Sequence, residues 1–261
     1  MATLVLPRLL VGSTSSRQLP VPPRQPSADL HPEGAVIRVY VGSDVHQRHA
    51  EMEAILHYSI FKHASEKVEV HFMCAGDNFK VSNGPRDGHW NLCREPNQAW
   101  PKFGHGTDFS VFRMAVPEYA GFTGKAIYLD VDMIVLGDIA ELWRMPQKKP
   151  YLCNSGKRTE VALIDCAAFQ DVPWWPRIAQ MQPSGVYLSN YRSMLAQHGF
   201  LEESLPWEWN SVDKMLPGAK LIHYSAVPTQ PWHPYKSVQY SPHPDPAALA
   251  VYEQYRREAL G

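Results

Sequence analysis

The segment Ala126-Ile127-Tyr128-Leu129-Asp130-Val131-Asp132-Met133-Ile134-Val135-Leu136-Gly137-Asp138-Ile139 constrains this chain more than any other. Its first four residues are apolar, Ile and Tyr among them, and read as a strand buried on both faces. Two carboxylates one residue apart then interrupt the run, which turns apolar again and stops at Gly137-Asp138. Burying an unpaired carboxylate is costly, so such charges belong at the mouth of a sheet, where open α/β folds bind ligands. A capping turn is the plain structural reading of two aspartates after a strand. Two hard oxygen ligands at that edge equally suit Mg²⁺ or Mn²⁺.

The rest of the chain supplies the elements that such a strand needs. Val36-Ile37-Arg38-Val39-Tyr40-Val41 reads as a first strand that ends at Gly42-Ser43-Asp44. Met52, Ile55, Leu56, Ser59 and Ile60 share one helical face, with Asp44 as the N-terminal cap. Val68, Val70, Phe72 and Cys74 alternate with Glu69, His71 and Met73, the pattern of a half-buried strand. Residues 76–105 are rich in Gly, Pro and Asn and read as one long loop. Thr107 opens a second helix with Phe109, Phe112, Arg113 and Val116, ended near Pro117. Further strands are expected at 151–154, 161–165 and 220–224, with helices around 176–181, 187–198 and 247–260. Strands alternating with helices predict an α/β fold, a mixed, mostly parallel sheet covered by helices on both faces.

Residues 1–34 differ in composition. Met1 to Gly12 is apolar, but Pro7 and Arg8 interrupt it and it is too short to span a bilayer; no cleavage pattern follows. Pro20, Pro22, Pro23 and Pro26 then predict a disordered extension, which leaves 35–261 as one domain. Lys+Arg 25 against Asp+Glu 26 gives a net charge of -1, so no basic field points to nucleic acid. Cys74, Cys93, Cys153 and Cys166 have no C-x-x-C spacing and read as reduced thiols of a cytosolic protein.

The run from Tyr128 to Ile139, followed by Leu142-Trp143, resembles the metal-binding segment of the retaining glycosyltransferases of family eight. That family includes glycogenin and bacterial lipopolysaccharide glycosyltransferases. The resemblance extends over about residues 36 to 233 and implies a GT-A fold. It implies that Asp130 and Asp132 bind a metal, with Asp132 also near the donor ribose. It implies that His223, in Leu221-Ile222-His223-Tyr224-Ser225, is the third metal ligand, and that Asp44 accepts from the uracil edge. Arg113, 17 residues before Asp130, takes the place of the arginine that contacts donor sugar and diphosphate. Pro231-Trp232 is kept at the nucleotide end, while Gln230 stands before it where the family has a lysine on the diphosphate. The segment Arg158-Thr159-Glu160-Val161 departs from the family's sugar-pocket pattern, and no Asp-Gln-Asp segment is found. Leu205-Pro206-Trp207-Glu208-Trp209-Asn210 reads either as acceptor contacts or as core packing.

The resemblance therefore implies a hexosyltransferase that works from a UDP-sugar with Mn²⁺, or Mg²⁺, as cofactor. Its acceptor is a glycan or glycolipid hydroxyl, its outcome is retention through front-side attack, and its setting is the cytoplasm or the inner membrane face. Arg113, Asp130 and Asp132 are the expected catalytic residues, and Asp44, Arg113, Asp132, Gln230 and Trp232 the donor-binding ones. Two other readings stay open. One is a catalytically impaired nucleotide-sugar-binding protein of the same fold. The other is a haloacid-dehalogenase-like phosphatase using Asp130 and Asp132, whose motif normally sits on the first strand of its domain.

Overall fold

The computed structural model describes residues 36–43, 48–73, 79–82, 91–93, 110–156, 158–173 and 186–261. The expected N-terminal extension, Asp44 and the helix around 176–181 lie outside them. Strand β1 (Ile37–Gly42) leads to helix α1 (Ala50–His63) and strand β2 (Val68–Met73). Short strands β3 (Phe79–Ser82) and β4 (Asn91–Cys93) precede a 3₁₀ turn at Ser110–Met114 and helix α2 (Val116–Tyr119). Strand β5 (Lys125–Asp130) carries the first aspartate, and β6 (Met133–Val135) follows the second. Then come α3 (Ile139–Trp143), β7 (Tyr151–Asn154), β8 (Arg158–Asp165), α4 (Val186–Gln197) and β9 (Leu201–Leu205). Strands β10 (Ser211–Val212) and β11 (Leu221–His223) and helix α5 (Pro246–Leu260) complete the chain.

Eight strands form one sheet in the order β4-β3-β2-β1-β5-β8-β7-β9. The parallel pairs β1–β2, β1–β5 and β7–β9 and the antiparallel pairs at β3 and β8 leave six strands pointing one way. Only β3 and β8 run against them, so the sheet is mixed and mostly parallel. All six residues of β5 are buried, as a central strand covered on both faces requires. A second sheet, β10-β11-β6, stands at the end of β5. Its antiparallel register sets His223 against Met133 and Leu221 against Val135.

Local chemistry holds this corner in place. The Ser59 hydroxyl accepts from Val135 N (3.0 Å) and donates to Leu56 O (2.8 Å), which ties α1 to β6 inside the core. Leu136 N and Gly137 N both donate to Lys220 O, at 2.8 and 3.0 Å. The chains come so near there that a Cβ on Gly137 would stand 2.9 Å from Lys220 Cβ, so glycine is required. Asp138 caps α3 through Ala140 N (3.0 Å) and also accepts from Ser65 N (3.2 Å).

Several expectations need correction. The N-cap position of α1 is His49, which makes no side-chain capping bond, and the expected cap Asp44 lies outside the described residues. Strand β2 is buried at five of six positions, Glu69 being the exception, because it pairs on both edges and is covered on both faces. The expected loop 76–105 contains β3 and β4, which extend the sheet. Arg113 lies on a 3₁₀ turn, and Pro117 starts α2 where it was expected to end a helix; a first-turn proline has no amide hydrogen to lose. Cys153 and Cys166 are free and buried, and burial pushes both thiols up to about 12. Helix α5 packs on α1, with Tyr252 and Tyr255 buried and Lys62 paired to Glu258 at 2.6 Å. Among the described residues no helix is long and apolar enough to cross a membrane.

His71 gives the fold a pH signature. Its ring stacks on Tyr40 at a centroid distance of 4.4 Å. Burial, and then the nearby Arg38 charge, lower its pKa from 6.5 to about 4. The unfolded chain thus takes up this proton first as pH falls, so the contribution of His71 is complete above pH 6.5 and lost between 6.5 and 4. Urea denaturation of His71→Phe beside the unmodified chain, stepped from pH 7 to pH 4, is expected to show a smaller acid loss in the variant. Equal slopes would remove His71 as its source.

Candidate metal centre

The last residue of β5 and the bend after it bring two carboxylates to the sheet edge, each 4% exposed. Asp130, Asp132 and His223 each offer a ligand atom, and these atoms lie within 4.8 Å of one another. The antiparallel β6–β11 pairing delivers the histidine. His223 and Asp132 flank the paired strands, and Tyr224 N donates to Asp132 O at 2.9 Å. A sequence motif of two aspartates thereby becomes a cluster of three ligands.

The two carboxylates have different surroundings. Arg113 Nη2 donates to both oxygens of Asp130, at 2.8 Å to Oδ2 and 3.2 Å to Oδ1. The Tyr128 hydroxyl also donates to Oδ1. Arg113 is itself buried and donates through Nη1 to the Thr159 hydroxyl at 2.8 Å. Burial works against the Arg113 charge, but Asp130 outweighs it and holds the guanidinium protonated. Burial pushes the Asp130 carboxyl up; Arg113 opposes that push and the Asp132 charge adds to it.

Asp132 is held less completely. His223 Nε2 stands 3.3 Å from Asp132 Oδ1, within ion-pair range, yet that oxygen has no hydrogen-bond partner among the described residues. Gln230 Nε2 donates to Asp132 Oδ2 at 3.2 Å and to Tyr224 O at 2.7 Å. On the other side of the imidazole, His223 Nδ1 meets Asn210 Oδ1 at 3.1 Å. Burial lowers the His223 pKa, but Asp132 and then Asp130 outweigh it and the net shift is upward. A buried acceptor left open beside two more ligand atoms fits a hard divalent cation, and the mixed O/N set is one that such ions accept.

The structure brings Arg113, Asp130, Asp132, His223 and Gln230 together. Gln230 touches Asp132 instead of standing apart from it. Trp232 lies one layer back, where its indole N–H donates to His49 Nδ1 at 3.2 Å and its ring meets Tyr224 edge-on. Asp44 lies outside the described residues. Sequence reading missed Tyr128, Thr159 and Asn210. Tyr128 had a signal, since alternation puts it on the Asp130 side of the strand. Asn210 had none, because only the folded chain sets it beside His223. The Trp-x-Trp segment divides: Trp209 is buried and Trp207 is 48% exposed.

Residues 104–170 match the family model described as Glycosyl transferase family 8. Comparison with curated proteins finds no match. Among solved structures, galactosyltransferase LgtC in complex with donor and acceptor sugar analogs is similar at 11% identity and a TM-score of 0.54, covering 86% of this chain and 97% of that one. The apo-form glycosyltransferase GlyE of Streptococcus pneumoniae TIGR4 is similar at 14% identity and a TM-score of 0.55. That match covers 85% of this chain and 60% of GlyE. At such identities the likeness is one of fold. The matched segment contains Arg113, Asp130 and Asp132, and the mixed, mostly parallel sheet is the fold of these GT-A glycosyltransferases.

Proposed function

We propose that this chain is a metal-dependent retaining glycosyltransferase that moves a hexose from a UDP-sugar to a hydroxyl of a glycan or glycolipid. The observation that carries the reading is the buried Asp130–Asp132–His223 cluster at the end of β5, in a chain whose 104–170 segment matches family 8. Asp130, Asp132 and His223 would hold the cation, and Mn²⁺ suits their oxygen and nitrogen donors better than Mg²⁺. When bound, it supplies a Lewis acid for charge gathering on the departing nucleoside diphosphate.

The other residues have separable tasks. Arg113 keeps Asp130 charged and oriented through the charge-assisted contacts of its Nη2. Its Nε–H is buried without a hydrogen-bond partner among the described residues, which leaves one donor for a sugar or phosphate oxygen. Asn210, by accepting from Nδ1 of His223, favours the tautomer with a free lone pair on Nε2. The low exposure of the cluster strengthens each of these interactions. Trp232 shapes the nucleotide end through packing, since its N–H is already used by His49.

The phosphatase reading needs Asp130 as a free nucleophile. The contacts of Asp130 with Arg113 and Tyr128 argue against it, as does its place on the fifth strand. The binding-protein reading differs from the enzyme only in turnover.

Two measurements test the proposal. Incubation with UDP-hexoses and Mn²⁺ is expected to release UDP, with loss of release on chelation and in Asp132→Ala. Nucleotide binding without turnover on any donor and acceptor would favour the binding protein. In the second, Arg113→Met leaves Asp130 buried without its cation. A cost of about 3–5 kcal/mol in urea denaturation is expected, as for a broken buried ion pair. Adding Asp130→Asn should recover part of that loss, and additive losses would contradict a direct coupling.

A further inference from the structure

We infer that Gln230 and Asn210 are positioning residues that set the affinity of the site for a divalent cation, and that Gln230 does not grip the donor diphosphate. The inference rests on the metal-dependent reading above and concerns which groups hold the ligands in place. A glutamine carboxamide has two N–H donors and one acceptor oxygen. Both neighbours of the Gln230 nitrogen, the Asp132 carboxylate and the Tyr224 carbonyl, can only accept. That fixes the orientation of the amide and commits both N–H groups. The atom left over is Oε1, a buried acceptor without a hydrogen-bond partner among the described residues. An acceptor repels a diphosphate oxygen, and the side chain is only 1% exposed. To bind phosphate, Gln230 would have to release either Asp132 or the Tyr224 carbonyl.

Asn210 does the same for the imidazole. It is buried, and its Oδ1 stands 3.1 Å from His223 Nδ1. With the proton held on Nδ1, the Nε2 lone pair faces the Asp132 side, where a cation would sit. Gln230 fixes Asp132 Oδ2, while Oδ1 faces His223 Nε2 and has no hydrogen-bond partner among the described residues. The two amides thus aim one carboxylate oxygen and one imidazole nitrogen at a shared point. Neither amide touches the proposed reacting atoms. Both act through a ligand, and partners that orient ligands in this way set metal affinity.

The experiment is a titration of the full chain with Mn²⁺ alone, read by electron paramagnetic resonance, beside the thermal midpoint of the metal-free protein. UDP binding at saturating Mn²⁺ is the second readout. Gln230→Lys sets a permanent cation against Asp132, and Asn210→Ala frees the imidazole. Each is expected to weaken Mn²⁺ binding by roughly 10–100-fold. Gln230→Met, which keeps the length and removes the donors, is expected to weaken it as well, and it guards against a lysine variant that fails to fold. Metal-free midpoints should stay near that of the unmodified chain in the folded variants. Unchanged Mn²⁺ affinity with tighter UDP binding in Gln230→Lys would overturn the inference and return Gln230 to the diphosphate. Weaker Mn²⁺ binding only in step with a fallen metal-free midpoint would reduce both amides to structural parts. Absence of Mn²⁺ binding by the unmodified chain would instead overturn the metal reading itself.

Discussion

Two carboxylates buried side by side at the end of a central strand are the constraint on which this structure turns. An isolated ionised carboxylate in an apolar interior costs several kcal/mol even after relaxation, and two of them repel each other. The chain answers with partners drawn from distant segments. Arg113 comes from the 3₁₀ turn before β5, Thr159 from β8, His223 from the end of β11 and Gln230 from the turn beyond it. Ser59, Gly137 and the backbone bonds to Lys220 keep β6 and β11 in the register that makes this possible. Much of the fold's irregular detail around β5 and β6 answers that one electrostatic demand.

The answer is uneven, and the unevenness has chemical content. Asp130 receives one arginine nitrogen across both its oxygens and a tyrosine hydroxyl on one of them. Asp132 receives one amide N–H and an imidazole at 3.3 Å, and keeps one oxygen without a hydrogen bond among the described residues. A buried orphan acceptor is costly, so its presence beside two other ligand atoms marks a place prepared for a positive charge. The imidazole is the adjustable member. Protonated, it balances Asp132; neutral, with its other nitrogen facing Asn210, it offers a lone pair.

Periodicity made the scaffold legible in the sequence. Met52, Ile55, Leu56, Ser59 and Ile60 form the buried face of α1, and β1, β2, β5, β7 and β8 lie where their apolar runs stand. The missed strands share one cause. Strands β3, β4 and β9 are short and polar, and pairing with neighbours decides them more than propensity does. Pro117 reads as a stop because a proline blocks the turn before it, while the folded chain uses it in the first turn of α2.

The site divides in the same way. Asp130 and Asp132 were visible because charge inside an apolar run is expensive and asks for a reason. His223 stood in a motif, so its approach to Asp132 could be expected before the β6–β11 pairing was seen. Gln230 stands next to Pro231-Trp232, where the resemblance implies a diphosphate contact, and its N–H groups go to Asp132 and the Tyr224 carbonyl. A side chain's place along the chain says which neighbourhood it occupies, but its hydrogen-bond partners decide what it has left to offer. Gln230 has donors in its formula and none to spare in the fold. Trp207 and Trp209 give the same lesson in apolar form: two residues apart, one is sealed beneath the Lys220 ammonium, 5.7 Å from its ring, and the other faces solvent. Composition alone treats the two tryptophans as equivalent, and the turn between them makes one a part of the core and the other a free surface.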